Sequence, residues 1–220
     1  VSIGSGNLPS WARVGVVRKE ASREQLDVVI GKLRDTSESA DNHVHWQKVS
    51  RLLAEAIFLT HKLGITFTEI DDMRSSIENR FFSWLKKNYG GLHSLSFYNG
   101  PVMVHHIPWF LAAQRRKGVE KLALLVLDGM AMDQWLVVKE NIQAFSGSLG
   151  EGSCFAWLPT TTAISRQAMF AGEMPMNIAE YLKNTSREDK LWRLFWGNQH
   201  LDKNNVYYAK SLGQRNVNSD

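Results

Sequence analysis

Six consecutive apolar residues, Leu122 to Leu127, run straight into Asp128-Gly129. A run of that length, bounded by charged or turn-forming residues, reads as a strand buried on both faces, the kind found in parallel sheets. About thirty residues further on, a second apolar run, Cys154–Leu158, ends in Pro159-Thr160-Thr161-Thr162. The predicted arrangement places a carboxylate at one strand end and a hydroxyl cluster at the next. Both then lie on the carboxyl edge of an α/β sheet, where sites in such sheets are found.

Of the 220 residues, 44% are apolar, enough for a sizeable core in one large domain or two small ones. No apolar run approaches the ~20 residues of a membrane span. The opening Val1-Ser2-Ile3-Gly4-Ser5-Gly6 has neither a charged nor an apolar leader region, and it lacks an initiator Met. It reads as the interior of a longer chain. A single cysteine, Cys154, excludes an internal disulfide framework and suits a reducing cytoplasm. The net charge of +4 is spread over 26 basic and 22 acidic residues, too dispersed to indicate nucleic-acid binding by itself. Eight tryptophans point to bulky packing between helices.

The pattern predicts a helical region over residues 1–117 and alternating strands and helices over 118–220. Ser22-Arg23-Glu24-Gln25 has capping-box spacing and predicts a helix to about Arg34. A second helix is expected over His45–Leu63, with Trp46, Val49, Leu53, Ile57 and Leu63 on one face and Gly64 as its stop. A third is expected over Thr68–Tyr89, ended by Gly90-Gly91, and a short fourth from Pro108 to about Gly118. The second part predicts strands at Lys121–Leu127, Cys154–Leu158 and Val206–Ala209. Between them the expected helices are Met132–Phe145, Ala163–Ala171 stopped by Gly172 and Pro175, and Ser186–Trp196. Strands alternating with helices imply βαβ units and a parallel sheet.

Asp128 and Thr162 carry two readings. A strand-end carboxylate is a hard oxygen ligand for Zn²⁺, Mg²⁺ or Mn²⁺, and a threonine at a helix N-terminus faces a position that favours phosphate. The same residues also read as an Asp-Gly turn and a threonine helix cap. Arg166, one turn beyond Thr162, suits phosphate recognition or an ordinary salt bridge. Ser165 is a weaker nucleophile candidate. His43-Val44-His45 and His105-His106 lack carboxylate or cysteine partners at metal-ligand spacing and read as structural or surface residues. Cys154, inside an apolar run, reads as an inert buried thiol. Gly4-Ser5-Gly6 has no strand before it, and Gly147-Ser148-Leu149-Gly150-Glu151-Gly152 lacks the Gly-Lys-Ser/Thr ending, so neither reads as a phosphate loop.

Taken together, Leu-Val-Leu-Asp128-Gly129, then Leu158-Pro159-Thr160-Thr161-Thr162-Ala163, then Gly172-Glu173-Met174-Pro175 resembles the alkaline phosphatase superfamily. In its phosphodiesterase and nucleotide pyrophosphatase branch the last threonine of Pro-Thr-x-Thr is the nucleophile, followed by Gly at ten positions and Pro at thirteen. Thr162, Gly172 and Pro175 keep those offsets. Leu158 to Gly172, with Glu188, Trp192 and Trp196 downstream, is similar to the PglZ family, the phosphatase-like component of bacterial BREX phage-defence systems. The motif resemblance spans about residues 120–210.

The resemblance implies an incomplete alkaline-phosphatase-like α/β domain, a parallel sheet flanked by helices, preceded by a helical region. It implies a metal-dependent phosphohydrolase, with Thr162 as nucleophile, Asp128 and Thr162 as ligands of a divalent metal, zinc foremost, and two metal sites in the complete domain. Arg166 would bind substrate phosphate. Implied partners are a phosphate ester, of nucleic acid or nucleotide among others, and further defence-system proteins, with no membrane and a cytoplasmic location. The alternative is a catalytically silent phosphatase-like scaffold that docks partner proteins. Three departures stand out. The family's remaining Asp and His ligands lie well beyond the nucleophile, where this chain offers only Asp189, His200, Asp202 and Asp220. Many relatives carry Arg two places beyond Asp-x, where Met130-Ala131 follow Gly129 here. Thr160 and Thr161 flank the nucleophile, so a shift of one or two residues would transfer its role to a neighbour.

Overall fold

The computed structural model describes residues 10–66, 68–142 and 149–211, with side chains from residue 19 onward. Seven α-helices lie within these residues: α1 (Ser10–Glu38), α2 (His43–Leu63), α3 (Thr68–Leu92), α4 (Ile107–Arg116), α5 (Met132–Ile142), α6 (Thr162–Ala171) and α7 (Glu188–Asn198). Two compact units are formed, Val1–Gly90 with Leu127–Glu151, and Gly91–Val126 with Gly152–Asp220.

In the first unit α1 packs on α2, and α2 packs on α5. From α1 come Leu26, Val29, Ile30 and Leu33, all buried and spaced i, i+3, i+4, i+7 as one helix face requires. The buried face of α2 is Trp46, Val49, Leu52, Ala56 and Leu59. Expected Leu53 and Ile57 are only half-buried. Steps of three carry the face round the helix, and small Ala56 lets a neighbour approach. Trp46 meets Phe81 and Trp84 of α3 at centroid distances of 5.2 and 6.1 Å. The Trp84 indole N–H donates to the Asp41 carbonyl at 2.8 Å. Asn42 caps α2, its side chain accepting from the His45 amide at 3.0 Å. We expect Asn42→Ala to lower the stability of this unit by about 1 kcal/mol, measured by urea unfolding. Gly64 ends the helix as expected, in the left-handed conformation with φ 64°.

Two helices, α1 and α3, depart from expectation by more than two residues. The Ser22–Gln25 capping signal lies inside α1, which runs unbroken from Ser10. There Gln25 donates across to Glu55 at 2.9 Å instead of turning back on the backbone. Gly90-Gly91 does not end α3, which continues to Leu92. A glycine costs a helix only about 1 kcal/mol, and buried Leu92 anchors the last turn. Residues 143–145, expected at the end of α5, lie outside the described residues.

The expected parallel sheet is not formed; the described residues are helical and contain no strand. Residues 121–127 have no regular secondary structure and no ladder, and Leu125 and Leu127 are 75% and 60% exposed. Cys154–Leu158 supplies one parallel bridge, Phe155 with Met103, closed by Phe155 N–H to Val102 O at 2.8 Å and Val104 N–H to Phe155 O at 3.0 Å. Val206–Ala209 is irregular. An apolar run records a tendency to be buried. A sheet also requires a second backbone to take up the N–H and C=O groups of each strand. The bridging partner of Phe155 is the short 102–104 segment, and 121–127 has no strand beside it among the described residues.

The core of the second unit is aromatic. Phe170 of α6 meets Trp192 of α7 edge-on at 5.6 Å, and Trp109 of α4 meets Phe195 of α7 edge-on at 5.0 Å. Trp196 closes the cluster against both Trp192 and Phe195. Edge-to-face geometry adds electrostatic attraction to the area buried. Trp46, Trp109 and Trp192 therefore pack between helices, as the number of tryptophans suggests.

Candidate active site on helix α6

Helix α6 begins at Thr162, with Thr161 at its N-cap in extended conformation (φ −81°, ψ 144°). The Thr161 side chain makes no capping hydrogen bond. Thr160, Thr161 and Thr162 are all exposed. The chain enters through a cis Leu158-Pro159 peptide, and the Thr161 N–H donates to Pro159 O at 2.7 Å. Thr162 thus sits in the first turn, where helix N–H groups lack intrahelical partners and an anion is favoured. Ser165, by contrast, has its Oγ buried without a hydrogen-bond partner, so it is not presented to a substrate.

At the other end of α6, Gly172 adopts the left-handed conformation with φ 66°. Its carbonyl accepts the Trp109 indole N–H at 2.7 Å. A Cβ there would lie 2.8 Å from the Phe195 ring and 3.0 Å from Trp109 Nε1. The glycine ten residues after Thr162 is thus required by backbone conformation and by close packing. Pro175 opens a 3-10 stretch, Pro175–Tyr181.

Arg166, one turn after Thr162, forms an ion pair with Glu188 at the start of α7, Nη2 to Oε2 at 2.6 Å. The Glu188 side chain is wholly buried, while Arg166 keeps 19% of its side-chain surface in solvent. The Tyr208 hydroxyl donates to the same Oε2 at 2.5 Å, and Lys210 Nζ lies 3.9 Å away. Glu188 Oε1 is buried without a hydrogen-bond partner. Burial, then the hydrogen bond to the Glu188 carboxylate and its charge, pushes the Tyr208 phenol up to about 12. Nothing local in the sequence marks Glu188 or Tyr208 for chemistry. They lie 22 and 42 positions from Arg166, and no short spacing signals such a contact.

Asp128 is exposed, in a turn whose Gly129 has φ 73°. It belongs to the first compact unit and Thr162 to the second. Among the described residues no group of three or more His, Cys, Asp or Glu side chains could hold a metal ion. The described residues do not by themselves complete a metal site. Of the downstream candidates, Asp189 pairs with Arg193 at 2.7 Å and Asp202 caps a 3-10 turn through the Asn204 amide. His200 is exposed, and Asp220 lies outside the described residues.

The other candidates have structural surroundings. His105 and His106 are buried and stack with centroids 4.1 Å apart. His106 Nδ1 accepts from the Val102 and Met103 amides, both at 3.3 Å. Its Nε2 therefore carries the proton and donates to His93 O at 3.0 Å. Burial, and then the neighbouring His106, lowers His105 to about 4; burial lowers His106 as well. Above pH 6.5 the pair is neutral whether folded or unfolded. As pH falls from 6.5 to 4 the unfolded chain takes up protons that the folded chain refuses, so stability is lost across that window. We expect His105 to account for a loss of up to roughly 3 kcal/mol by pH 4. Urea midpoints at pH 7, 5 and 4 should fall more steeply for the native sequence than for His105→Gln; parallel profiles would refute the assignment. Burial pushes the Cys154 thiol up to about 11, which keeps it protonated and unreactive at neutral pH.

An exposed threonine opening a helix, an arginine one turn on, and a tightly packed glycine at the helix end form an ordered set within one stretch of chain. Residues 111–206 match the family model of the BREX system PglZ alkaline phosphatase-like domain. The PglZ segment takes in Asp128, all of α6 and all of α7, and ends two residues before Tyr208. Helices α1 to α3 lie outside it. No curated protein matches the chain. No helix among the described residues is long and apolar enough to cross a membrane.

Proposed function

We propose that the PglZ segment carries the nucleophile of a metal-dependent phosphohydrolase, a phosphatase or phosphodiesterase of a BREX-type phage-defence system. The observation that carries this reading is the exposed Thr162 in the first turn of α6, inside the matched residues and ten positions before Gly172, the offset that resembles the phosphodiesterase and nucleotide pyrophosphatase branch. In the proposed reaction Thr162 Oγ bonds to phosphorus while the bond from phosphorus to the leaving oxygen breaks; the hydroxyl proton passes to solvent and the leaving oxygen takes up a proton. The oxygen of a water then bonds to phosphorus as the bond to Thr162 Oγ breaks, a proton returns to the threonine, and phosphate is released from a monoester or a phosphate monoester from a diester. The first-turn N–H groups stabilise negative charge that builds on the phosphoryl oxygens. The negative charge of a phosphate ester suits this position, and nucleotide or nucleic-acid esters fall within that class.

Asp128 is proposed as a ligand of a divalent metal, zinc foremost, which would supply Lewis-acid activation when bound. The described residues leave its ligand set incomplete, so no step is routed through it. The second reading, a silent phosphatase-like scaffold that docks other defence-system proteins, draws support from that incompleteness. Thr162→Ala in the full-length protein decides between the readings, with hydrolysis of a chromogenic phosphate ester as the measurement.

A further inference from the structure

We propose that Glu188 and Tyr208 are positioning residues that hold the Arg166 guanidinium as the phosphate-binding cation beside Thr162. The proposal rests on the Thr162 reading and adds to it the machinery behind the cation. Residues i and i+4 share a helix face, and four residues of rise bring Arg166 within about 6 Å of Thr162 along the axis. An unrestrained arginine on a helix surface samples many rotamers, and that freedom would have to be lost each time it met a substrate. Here the guanidinium is held through Nη2 by a carboxylate that is itself wholly buried. The carboxylate is in turn held by the Tyr208 hydroxyl. The tyrosine ring is fixed edge-on against Phe170 at 5.5 Å, and Phe170 against Trp192. Each link sits on the aromatic core, and the arginine at the end of the series still reaches solvent.

Stability is a poor explanation for such a pair. A buried ion pair is commonly no better for folding than apolar side chains of similar volume. The Glu188 carboxylate also carries a burden, because Oε1 is buried without a partner while Oε2 takes both hydrogen bonds. An anion buried at this cost, aimed at the arginine one turn from the exposed threonine, is accounted for by preorganisation of a cation. Arg166 and Lys210 together outweigh Glu188, which leaves the cluster with a positive charge to offer a phosphate.

The test is titration of the full chain with inorganic phosphate, followed by calorimetry, for the native sequence and for R166A, E188Q, Y208F, T162A and the double variant R166A/E188Q. The native sequence should bind phosphate, R166A should weaken binding about tenfold, and E188Q should weaken it about fivefold although it raises the cluster's positive charge by one, because the guanidinium is no longer held in place. Because Glu188 acts through Arg166, R166A/E188Q should bind no more weakly than R166A alone. Y208F removes one hydroxyl and no charge, so it keeps the test open if E188Q does not fold; it should weaken binding about twofold. A purely structural role would lower the melting temperature of E188Q and Y208F and leave phosphate affinity unchanged. That result overturns the proposal, as would additive effects in the double variant or no phosphate binding by the folded native chain. T162A should bind phosphate within about twofold of native while losing turnover. Loss of turnover in T162A with unaltered affinity in E188Q would sink the positioning proposal and leave the Thr162 reading standing. Retained turnover in T162A with weakened affinity in E188Q would do the reverse.

Discussion

Thr162→Ala should reduce hydrolysis of a phosphate ester by the full-length protein by about a thousandfold or more, to the background of the metal-supplied buffer. On the proposed reading, alanine removes the oxygen that forms the covalent bond to phosphorus. Ser165, on the same helix, has its hydroxyl buried. Thr162→Ser keeps a hydroxyl at the same helix position and should retain a measurable fraction of turnover. Thr160→Ala and Thr161→Ala test the register. Both residues are exposed, and Thr161 makes no side-chain cap bond that its loss would break, so either change should leave the fold intact. Loss of turnover in Thr161→Ala with retention in Thr162→Ala would move the nucleophile by one position. A native protein without metal-dependent turnover would favour the scaffold reading.

Gly172→Ala should destabilise the second unit by about 3 kcal/mol, combining a left-handed backbone that costs an alanine about 1 kcal/mol or more with overpacking of about 1–3 kcal/mol. The Phe195 and Trp109 rings belong to a core where each ring is held edge-on by another, so neither can retreat freely. Movement of Trp109 would also loosen its hydrogen bond to the Gly172 carbonyl. Gly64→Ala is the matched control. It has nearly the same φ, 64°, and nothing within 4 Å of where the added methyl would lie, so it should show the backbone cost alone. Equal urea midpoint shifts for the two variants would show that the close approach at Gly172 contributes nothing.

The two substitutions separate chemistry from architecture within one motif. Thr162 and Gly172 are ten residues apart on the same helix, yet one faces solvent and the other a packed aromatic core. Their fixed offset is the length of α6 itself, from first turn to left-handed cap.

The helices are readable because their signals are local. The Gly64 stop, the Pro108 start and the Gly172 cap each act through the φ of one residue or the loss of one N–H, whatever surrounds them. The apolar faces of α1 and α2 follow from helix periodicity in the same way. Thr162 and Arg166 can be placed together because i and i+4 share a face on any helix. The sheet cannot be read so safely. Leu122–Leu127 has the apolar content of a buried strand, but strand pairing is a relation between distant backbones that a single run does not encode. Phe155 pairs instead with Met103, and Leu125 remains exposed.

Local chemistry in the sequence thus determined the stops at Gly64 and Gly172 and the start at Pro108, though not where α1 begins or where α3 ends. Only tertiary structure decided that Glu188 and Tyr208 would stand behind Arg166. A buried charge is tolerated only where partners from separate segments converge on it, and that convergence is created by the aromatic packing of α6 and α7, not by the spacing of the residues along the chain.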